Sequence, residues 1–206
     1  MRSLKKYSKL VVNELLDDGT YTSSSSNDDT SICMSPHRLC RYSYPKNTKE
    51  NNDSSSSTKA KEIFGAHTDT SFVTIIPCAS VAGLEVFNED ISEWVRPECV
   101  AKQHYDKYHR QNDSTPWYSN YVIILPGELL QLMTRSMIVS SIHRVISIQN
   151  VNKSRISAPI LLRARSNKVM DVEKYFGSVD DGGDISFLLD DCEDMTMEEI
   201  HDALQP

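Results

Sequence analysis

The chain has 206 residues, with 22 Lys and Arg against 29 Asp and Glu, which gives a formal net charge of -7. This length suits one domain with extensions and is sufficient to bury a core. The acidic balance disfavours nucleic acid as the main partner, because phosphate binding needs a basic face. The sequence contains no run of about 18 apolar residues, so we expect no transmembrane helix and no membrane partner.

The five cysteines are scattered along the chain and form no Cys-x-x-Cys pair. This pattern favours reduced thiols over a disulfide framework or a zinc site. The N-terminus has basic residues, but it lacks the sustained apolar stretch and the small-residue cleavage site of a secretory signal. We therefore predict a cytoplasmic protein.

Apolar residues recur at helical spacing at the start of the chain. Leu4, Tyr7, Val11 and Leu15 would share one face, and Asp17-Asp18-Gly19 ends the pattern with the residue that commonly follows a helix. We predict a helix over about 3–16, in a supporting segment 1–21.

A strand island follows within residues 22–62. It is flanked by two tracts rich in Ser and Asn, 22–31 and 46–59, which are typical of flexible insertions. The island itself, ICMSPHRLCRYSYP, is predicted to form a strand that ends before its last proline.

Short β-rich runs separated by turns begin at Ile63 and predict a sandwich or jelly roll over 63–177. Residues 96–119 are polar and without a clear period, so we expect a long surface insertion there. The strand candidates are SFVTIIP (71–77), GLEVF (83–87), YVIIL (121–125), ELLQLM (128–133), SSIHRVISI (140–148) and RISAPILLRAR (155–165).

The segment 178–206 is predicted to be an acidic tail that ends in a short helix. Thr196 followed by Glu199 has the pattern of a capping box, in which the two side chains satisfy the first backbone N–H groups of a helix. This pattern predicts a helix over about 197–205.

Two histidines and one carboxylate have the pattern of a metal site. His67 and Asp69 are two residues apart, which in extended chain places both side chains on one face, and His143 lies in another predicted strand. Together they can form the two-His-one-carboxylate triad that holds non-haem Fe(II) and leaves open positions. Taken singly, each residue also has a structural explanation: a loop histidine, a turn or cap carboxylate, and a packed strand histidine.

A dicarboxylate cosubstrate that chelates such an iron needs an anchor for its far end. Arg155 offers a guanidinium fork for a carboxylate, and Ser157 adds a hydroxyl on the same face of the strand. Arg155 follows His143 by 12 residues (155 − 143), which allows a turn and a return into the neighbouring strand. Alone, Arg155 would indicate only a solvated charge at a strand end.

The chain resembles the isopenicillin N synthase-like group of 2-oxoglutarate/Fe(II)-dependent dioxygenases. The resemblance rests on three blocks in the family's order, and it covers roughly residues 35–165. The blocks are GAHTDTSFVTIIPCASVAGLEVF (65–87), GELLQLMTRSMIVSSIHRV (127–145) and RISAPILLRAR (155–165).

This resemblance implies a double-stranded β-helix, which is a cupin-like jelly roll, with Fe(II) on His67, Asp69 and His143. It also implies that the N-terminal helix supports the outer face of the barrel. The chain departs from the family pattern at Glu128, where relatives have Asp, and at Cys40, where many have Asn. Most of the substrate-binding N-terminal region of typical members is absent, which leaves a truncated gene model, a short isoform and a minimal enzyme as alternatives.

For the cosubstrate, the resemblance implies 2-oxoglutarate on Arg155 and Ser157, with help from an upstream tyrosine. That tyrosine is Tyr42, or Tyr44 in a competing alignment. The implied activity is hydroxylation or desaturation of a small organic substrate by dioxygen, releasing succinate and CO2, with ascorbate as an optional reductant.

Two alternatives to this activity stay open. One is a catalytically degenerate jelly-roll protein with a binding or regulatory role. The other is an Fe(II) oxidase of the same fold that does not use 2-oxoglutarate. The sequence also leaves the identity of the substrate and the oligomeric state open.

Overall fold

The computed structural model describes residues 11–16, 35–43, 61–109, 114–134, 136–147, 153–171, 174 and 195–204. Its strands are β1 (Cys40–Tyr42), β2 (Glu62–His67), β3 (Val73–Pro77), β4 (Leu84–Asn88), β5 (Glu93–Val95), β6 (Val122–Pro126), β7 (His143–Ile146), β8 (Arg155–Ser157) and β9 (Ile160–Leu162). Its helices are α1 (Pro97–Tyr108), α2 (Glu128–Met133) and α3 (Met197–Ala203), with a π-helical turn at Val11–Leu15 and a 3-10 turn at Trp117–Asn120.

These strands form antiparallel sheets with the orders β1-β8, β2-β7-β4-β5 and β6-β3-β9. The larger two sheets face each other across a small apolar core. In that core Leu84 of the four-stranded sheet packs with Ile76 and Leu125 of the three-stranded sheet. The predicted mainly β jelly roll is confirmed.

A second apolar core joins both ends of the described chain to one end of the barrel. It includes Leu15 from the N-terminal turn, Phe72 ahead of β3, and Met133 from α2. Met197 and Ile200 of α3 complete its buried side. Through this second core, the N-terminal turn, α2 and α3 all pack against the barrel.

The C-terminal helix agrees with the sequence prediction. Thr196 and Glu199 form a capping box, with the Thr196 side chain accepting from the Glu199 backbone N–H and the Glu199 carboxylate accepting in return. At the N-terminus, the structure describes only 11–16 of the predicted helix 3–16, and within it Val11–Leu15 form a π-helical turn.

Two predicted elements differ in the structure. The run ELLQLM forms the helix α2 rather than a strand, because Leu129 and Met133, four residues apart, are both buried on one helical face. The polar region predicted as a surface insertion contains the 12-residue helix α1, which begins at Pro97 and buries Glu98 and Tyr105. A short apolar run is too short for its hydrophobic periodicity to distinguish a helix from a strand. A helix whose surface is mostly solvated has few apolar residues, so its sequence shows little hydrophobic periodicity.

Several sequence features lie outside the described residues. They are the Ser/Asn-rich tracts 22–31 and 46–59, Tyr44, and the acidic stretch 178–194. Within the described ranges, the helices are too short or too polar to cross a membrane.

Candidate functional site

The two histidines of the predicted triad lie opposite each other on neighbouring strands. β2 and β7 pair antiparallel with His67 in register with His143, and the imidazole centroids are 4.2 Å apart. Asp69 follows the end of β2, with its carboxylate oxygens 3.8 Å from His67 Nε2 and 3.6 Å from His143 Nε2. All three ligand atoms lie within 4.8 Å of one another, so one cation can contact them all.

Both imidazoles are oriented by backbone carbonyls. His67 Nδ1 donates to the carbonyl of Gly65 at 2.8 Å, and His143 Nδ1 donates to that of Ser141 at 3.0 Å. Each ring therefore directs its Nε2 toward Asp69, which is the arrangement that metal-binding histidines use. Burial lowers the pKa of His143 below its ordinary value, so this ring is neutral at physiological pH.

The loop that carries Asp69 is held from two sides. Thr74 Oγ1, on β3, donates to Asp69 Oδ2 at 2.6 Å. At the start of α2, the Glu128 N–H donates to the Asp69 carbonyl at 2.8 Å. Gly127 permits the close approach of α2 to this loop, because a Cβ there would lie 2.1 Å from the Ser71 carbonyl oxygen. Helix α2 thus holds the backbone of Asp69, and Thr74 holds its carboxylate.

Arg155 lies on β8 with 1% of its surface exposed. Its Nη2 donates to Glu98 Oε1 at 2.7 Å, while its buried Nε and Nη1 have no hydrogen-bond partner among the described residues. Buried donors of an arginine are rarely left unpaired, since each costs the full desolvation of the group. The unpaired donors fit an anionic ligand such as a carboxylate.

Ser157 and Tyr42 lie beside Arg155. Ser157 is buried on the same face of β8, and Tyr42 is in register with Arg155 on β1. The Tyr42 ring centroid is 5.4 Å from the guanidinium carbon. Burial, followed by the neighbouring Cys40, raises the pKa of Tyr42, so its hydroxyl stays protonated and able to donate.

Sequence reasoning missed two residues that contact the site. Thr74 orients Asp69 from the inward face of β3, and a threonine among apolar residues on that face was the available signal. Glu98 contacts Arg155 from the first turn of α1. Its signal was the Pro-Glu pair at 97–98, since proline at the first helical position and an acidic first turn are typical of a helix start.

The residues present fit the groups that the sequence pattern implies. Two imidazoles and one carboxylate are the donor set preferred by a non-haem Fe(II) site with open positions. The unpaired donors of Arg155 fit the far carboxylate of a 2-oxo dicarboxylic acid. Fold and site together define a jelly-roll protein with a candidate facial-triad metal centre and, at Arg155, a candidate anchor for a carboxylate ligand.

Comparison with known protein families identifies the family within this class. The model of the 2OG-Fe(II) oxygenase superfamily matches residues 34–164, and the chain belongs to this family. The resemblance seen in the three sequence blocks is thereby confirmed. Among curated proteins, the feruloyl CoA ortho-hydroxylase F6H1-1 of Ipomoea batatas is 30% identical over 106 residues, which is 52% of this chain and 24% of that protein.

The solved structures that resemble this chain belong to longer proteins. A protein from Shewanella oneidensis assigned as an oxygenase is 24% identical, with a TM-score of 0.47, over 77% of this chain and 47% of that one. The dioxygenase for auxin oxidation 1 of Arabidopsis thaliana, in its 2-oxoglutarate complex, is 19% identical with a TM-score of 0.42, over 62% and 37% of the two chains. The chain thus spans less than half the length of these relatives.

Proposed function

We propose that this chain is an Fe(II)- and 2-oxoglutarate-dependent dioxygenase that hydroxylates or desaturates a small organic substrate and releases succinate and CO2. One observation carries the proposal: a three-residue metal site and a buried arginine with unpaired donors occur in one chain of the 2OG-Fe(II) oxygenase family.

His67, Asp69 and His143 are the proposed iron ligands. Their Nε2 and carboxylate atoms converge within 4.8 Å, and the backbone contacts of both Nδ1 atoms hold the rings in the metal-binding tautomer. Thr74 keeps one Asp69 oxygen aimed by donating to it at 2.6 Å. Three protein ligands leave positions for a chelating cosubstrate and for dioxygen.

Arg155, Ser157 and Tyr42 are the proposed anchor for the far carboxylate of 2-oxoglutarate. A guanidinium binds a carboxylate through two parallel hydrogen bonds, and the two hydroxyls can donate to the remaining lone pairs. Cys40 lies opposite Ser157 on β1. The bound iron together with dioxygen would supply the oxidising chemistry, in which 2-oxoglutarate is itself oxidised to succinate and CO2.

The test combines metal binding with turnover. Anaerobic Fe(II) titration should give one site per chain, and aerobic incubation with 2-oxoglutarate and ascorbate should release succinate, increasing with a true substrate. His67→Ala should abolish both, because two ligands do not make the triad. His104→Ala is the matched control and should change neither, because it removes a histidine of α1 that is hydrogen-bonded to Tyr121.

Several outcomes would contradict the proposal. Iron binding and turnover that survive His67→Ala would exclude this metal site. A chain that binds iron but neither binds nor consumes 2-oxoglutarate would point to an oxidase of the same fold. A chain that binds no iron would be a degenerate binding module.

We also propose the cytoplasm as the compartment of this protein. The cysteines that the structure describes, Cys40, Cys78 and Cys99, are free thiols. Burial raises the pKa of the Cys78 thiol to about 11, so this group is neither a thiolate nor readily oxidised. Reduced thiols without a disulfide framework are typical of reducing compartments. Recovery of the tagged full chain in a secretory or organellar fraction would contradict this.

A further inference from the structure

Arg155 has a buried acidic partner that the cosubstrate pattern does not include. Glu98 Oε1, in the first turn of α1, accepts from Arg155 Nη2 at 2.7 Å. The two side chains are 0% and 1% exposed. Charges this deep are retained only when they are paired and hydrogen-bonded, so the contact is a fixed part of the interior.

Glu98 is itself held independently of Arg155. Its other oxygen, Oε2, accepts from the backbone N–H groups of Gly83 at 2.7 Å and Leu84 at 3.1 Å. Pro97, at the first helical position, fixes the backbone from which the side chain extends. The carboxylate is therefore tied by two hydrogen bonds to the backbone where β4 begins, and it is Arg155 that takes its position from Glu98.

The stem of Arg155 is confined as well. Its Cδ packs so closely on Gly83 that a Cβ there would lie 2.8 Å away. Between this contact and Glu98 at Nη2, the plane of the guanidinium has little freedom to turn. Glu98 uses one of the two protons on Nη2, and Nε and Nη1 have no partner in the described part of the chain. One two-point fork thus remains for a carboxylate.

We propose that Glu98 is a positioning residue for the cosubstrate. It holds the guanidinium of Arg155 so that the remaining fork receives the far carboxylate of a 2-oxo dicarboxylic acid. This inference rests on the proposed function, and Glu98 itself touches neither cosubstrate nor metal. Glu98 already balances the charge of Arg155. The affinity for the far carboxylate therefore depends more on the orientation of the guanidinium than on its net positive charge.

The test compares two ligands that differ only at the far end. Calorimetric titration of the Mn(II)-loaded full chain uses 2-oxoglutarate and 2-oxobutyrate, which has the same chelating end but no second carboxylate. In Glu98→Gln we expect the Kd for 2-oxoglutarate to rise about tenfold, the scale of one lost charge-assisted hydrogen bond. The Kd values for 2-oxobutyrate and for Mn(II) should not change.

Glu85→Gln is the matched control. Glu85 is also a buried glutamate paired with arginines, Arg96 and Arg144, and it lies one residue after Leu84 on β4. Within the described part of the chain, its hydrogen bonds and ion pairs go to these two arginines and not to Arg155. Removing its charge should leave the affinity for both 2-oxo acids as in the parent chain.

A second variant covers the case in which Glu98→Gln does not fold. Glu98→Asp keeps the countercharge for Arg155 but is one methylene shorter, so it cannot reach both the backbone of β4 and Nη2. We expect the same selective loss of 2-oxoglutarate affinity.

The outcomes separate this inference from the proposed function. A loss that is equal for both 2-oxo acids would assign Glu98 a structural role and overturn the inference. Unchanged or tighter 2-oxoglutarate binding would overturn it too, while the proposed function would stand. A parent chain that binds no 2-oxoglutarate would overturn both.

Discussion

Asp69 is the ligand of the triad that depends most on its neighbours for orientation. It lies beyond the end of β2, where no strand pairing restricts its side chain. Thr74 supplies the restraint through a 2.6 Å hydrogen bond to Oδ2. Partners of this kind set both the rotamer of a ligating carboxylate and its basicity.

We expect Thr74→Val to weaken metal binding by about 10- to 100-fold, the usual effect of losing a partner to a metal ligand. The substitution is nearly isosteric and removes only the hydroxyl. Anaerobic titration with Fe(II) or Mn(II) would measure the change in Kd.

Thr68→Val is the matched control for this substitution. Its hydroxyl donates to the carboxylate of Glu128 and not to that of Asp69. It should therefore leave metal affinity near that of the parent. Equal losses in the two variants would mean that Thr74 acts through the fold of the loop and not through Asp69.

At the scale of elements, the C-terminal helix is stabilised at its N-terminus by a charge-dependent cap. Glu199 accepts from both the backbone N–H and the hydroxyl of Thr196, each at 2.8 Å. These hydrogen bonds hold the pKa of Glu199 below the usual range of a glutamate. A lowered pKa in the folded state means that the interaction stabilises the fold above the unfolded pKa and is lost as the pH falls through the folded pKa.

We expect Thr196→Ala to cost about 1 kcal/mol of stability at neutral pH, the usual value of an N-cap side chain. The difference from the parent should shrink as the pH is lowered through the ordinary carboxyl range, since protonated Glu199 no longer contributes in either protein. Thermal unfolding over a pH series would measure it. A difference that grows on acidification would contradict the assigned sign. Glu198→Ala, in the same turn but outside the capping box, is the control.

The elements differ in how well the sequence predicts them. β3, β4, β6 and β7 were predictable because β-branched residues and turn signals define their limits, and the capping box of α3 is a local motif. α2 was not predictable, because the hydrophobic pattern of a six-residue apolar run fits both a helix and a strand. Only the burial of one helical face in the structure distinguishes the two. α1 was missed because its interior is mostly polar.

The predicted site residues follow the same division. His67 and Asp69 were predictable because they lie two residues apart in the sequence. His143 lies in a later predicted strand, and the pairing of that strand with β2 places it opposite His67. The contact of Glu98 with Arg155 was beyond sequence reasoning, because the two residues lie 57 positions apart and a glutamate is rarely buried. The Pro97-Glu98 pair signals only the start of a helix. Long-range pairing of charges leaves no periodic signal.

At the scale of the whole molecule, the two ends of the described chain close the same end of the barrel. Leu16 forms a β-bridge with Ala164 just beyond β9, and the N–H of Arg165 donates to the carbonyl of Leu15 at 2.8 Å. Met197 of α3 packs into the same core. Phe72 also belongs to this core, three residues after Asp69, so packing at the chain ends supports the loop of the metal site.

We expect Leu15→Ala to destabilise the protein by about 2–5 kcal/mol, because it leaves a cavity where a fully buried side chain joins both chain ends to the barrel. Chemical denaturation would show a lower midpoint with a similar slope. Leu39→Ala, at a leucine that is 78% exposed, is the control and should change stability little. If the N-terminal turn were only loosely attached, the two variants would unfold at the same midpoint. Metal affinity, measured well below the unfolding transition, should fall in Leu15→Ala and stay unchanged in Leu39→Ala. Leu15 shares a core with Phe72, which lies in the loop that carries Asp69, whereas Leu39 is exposed.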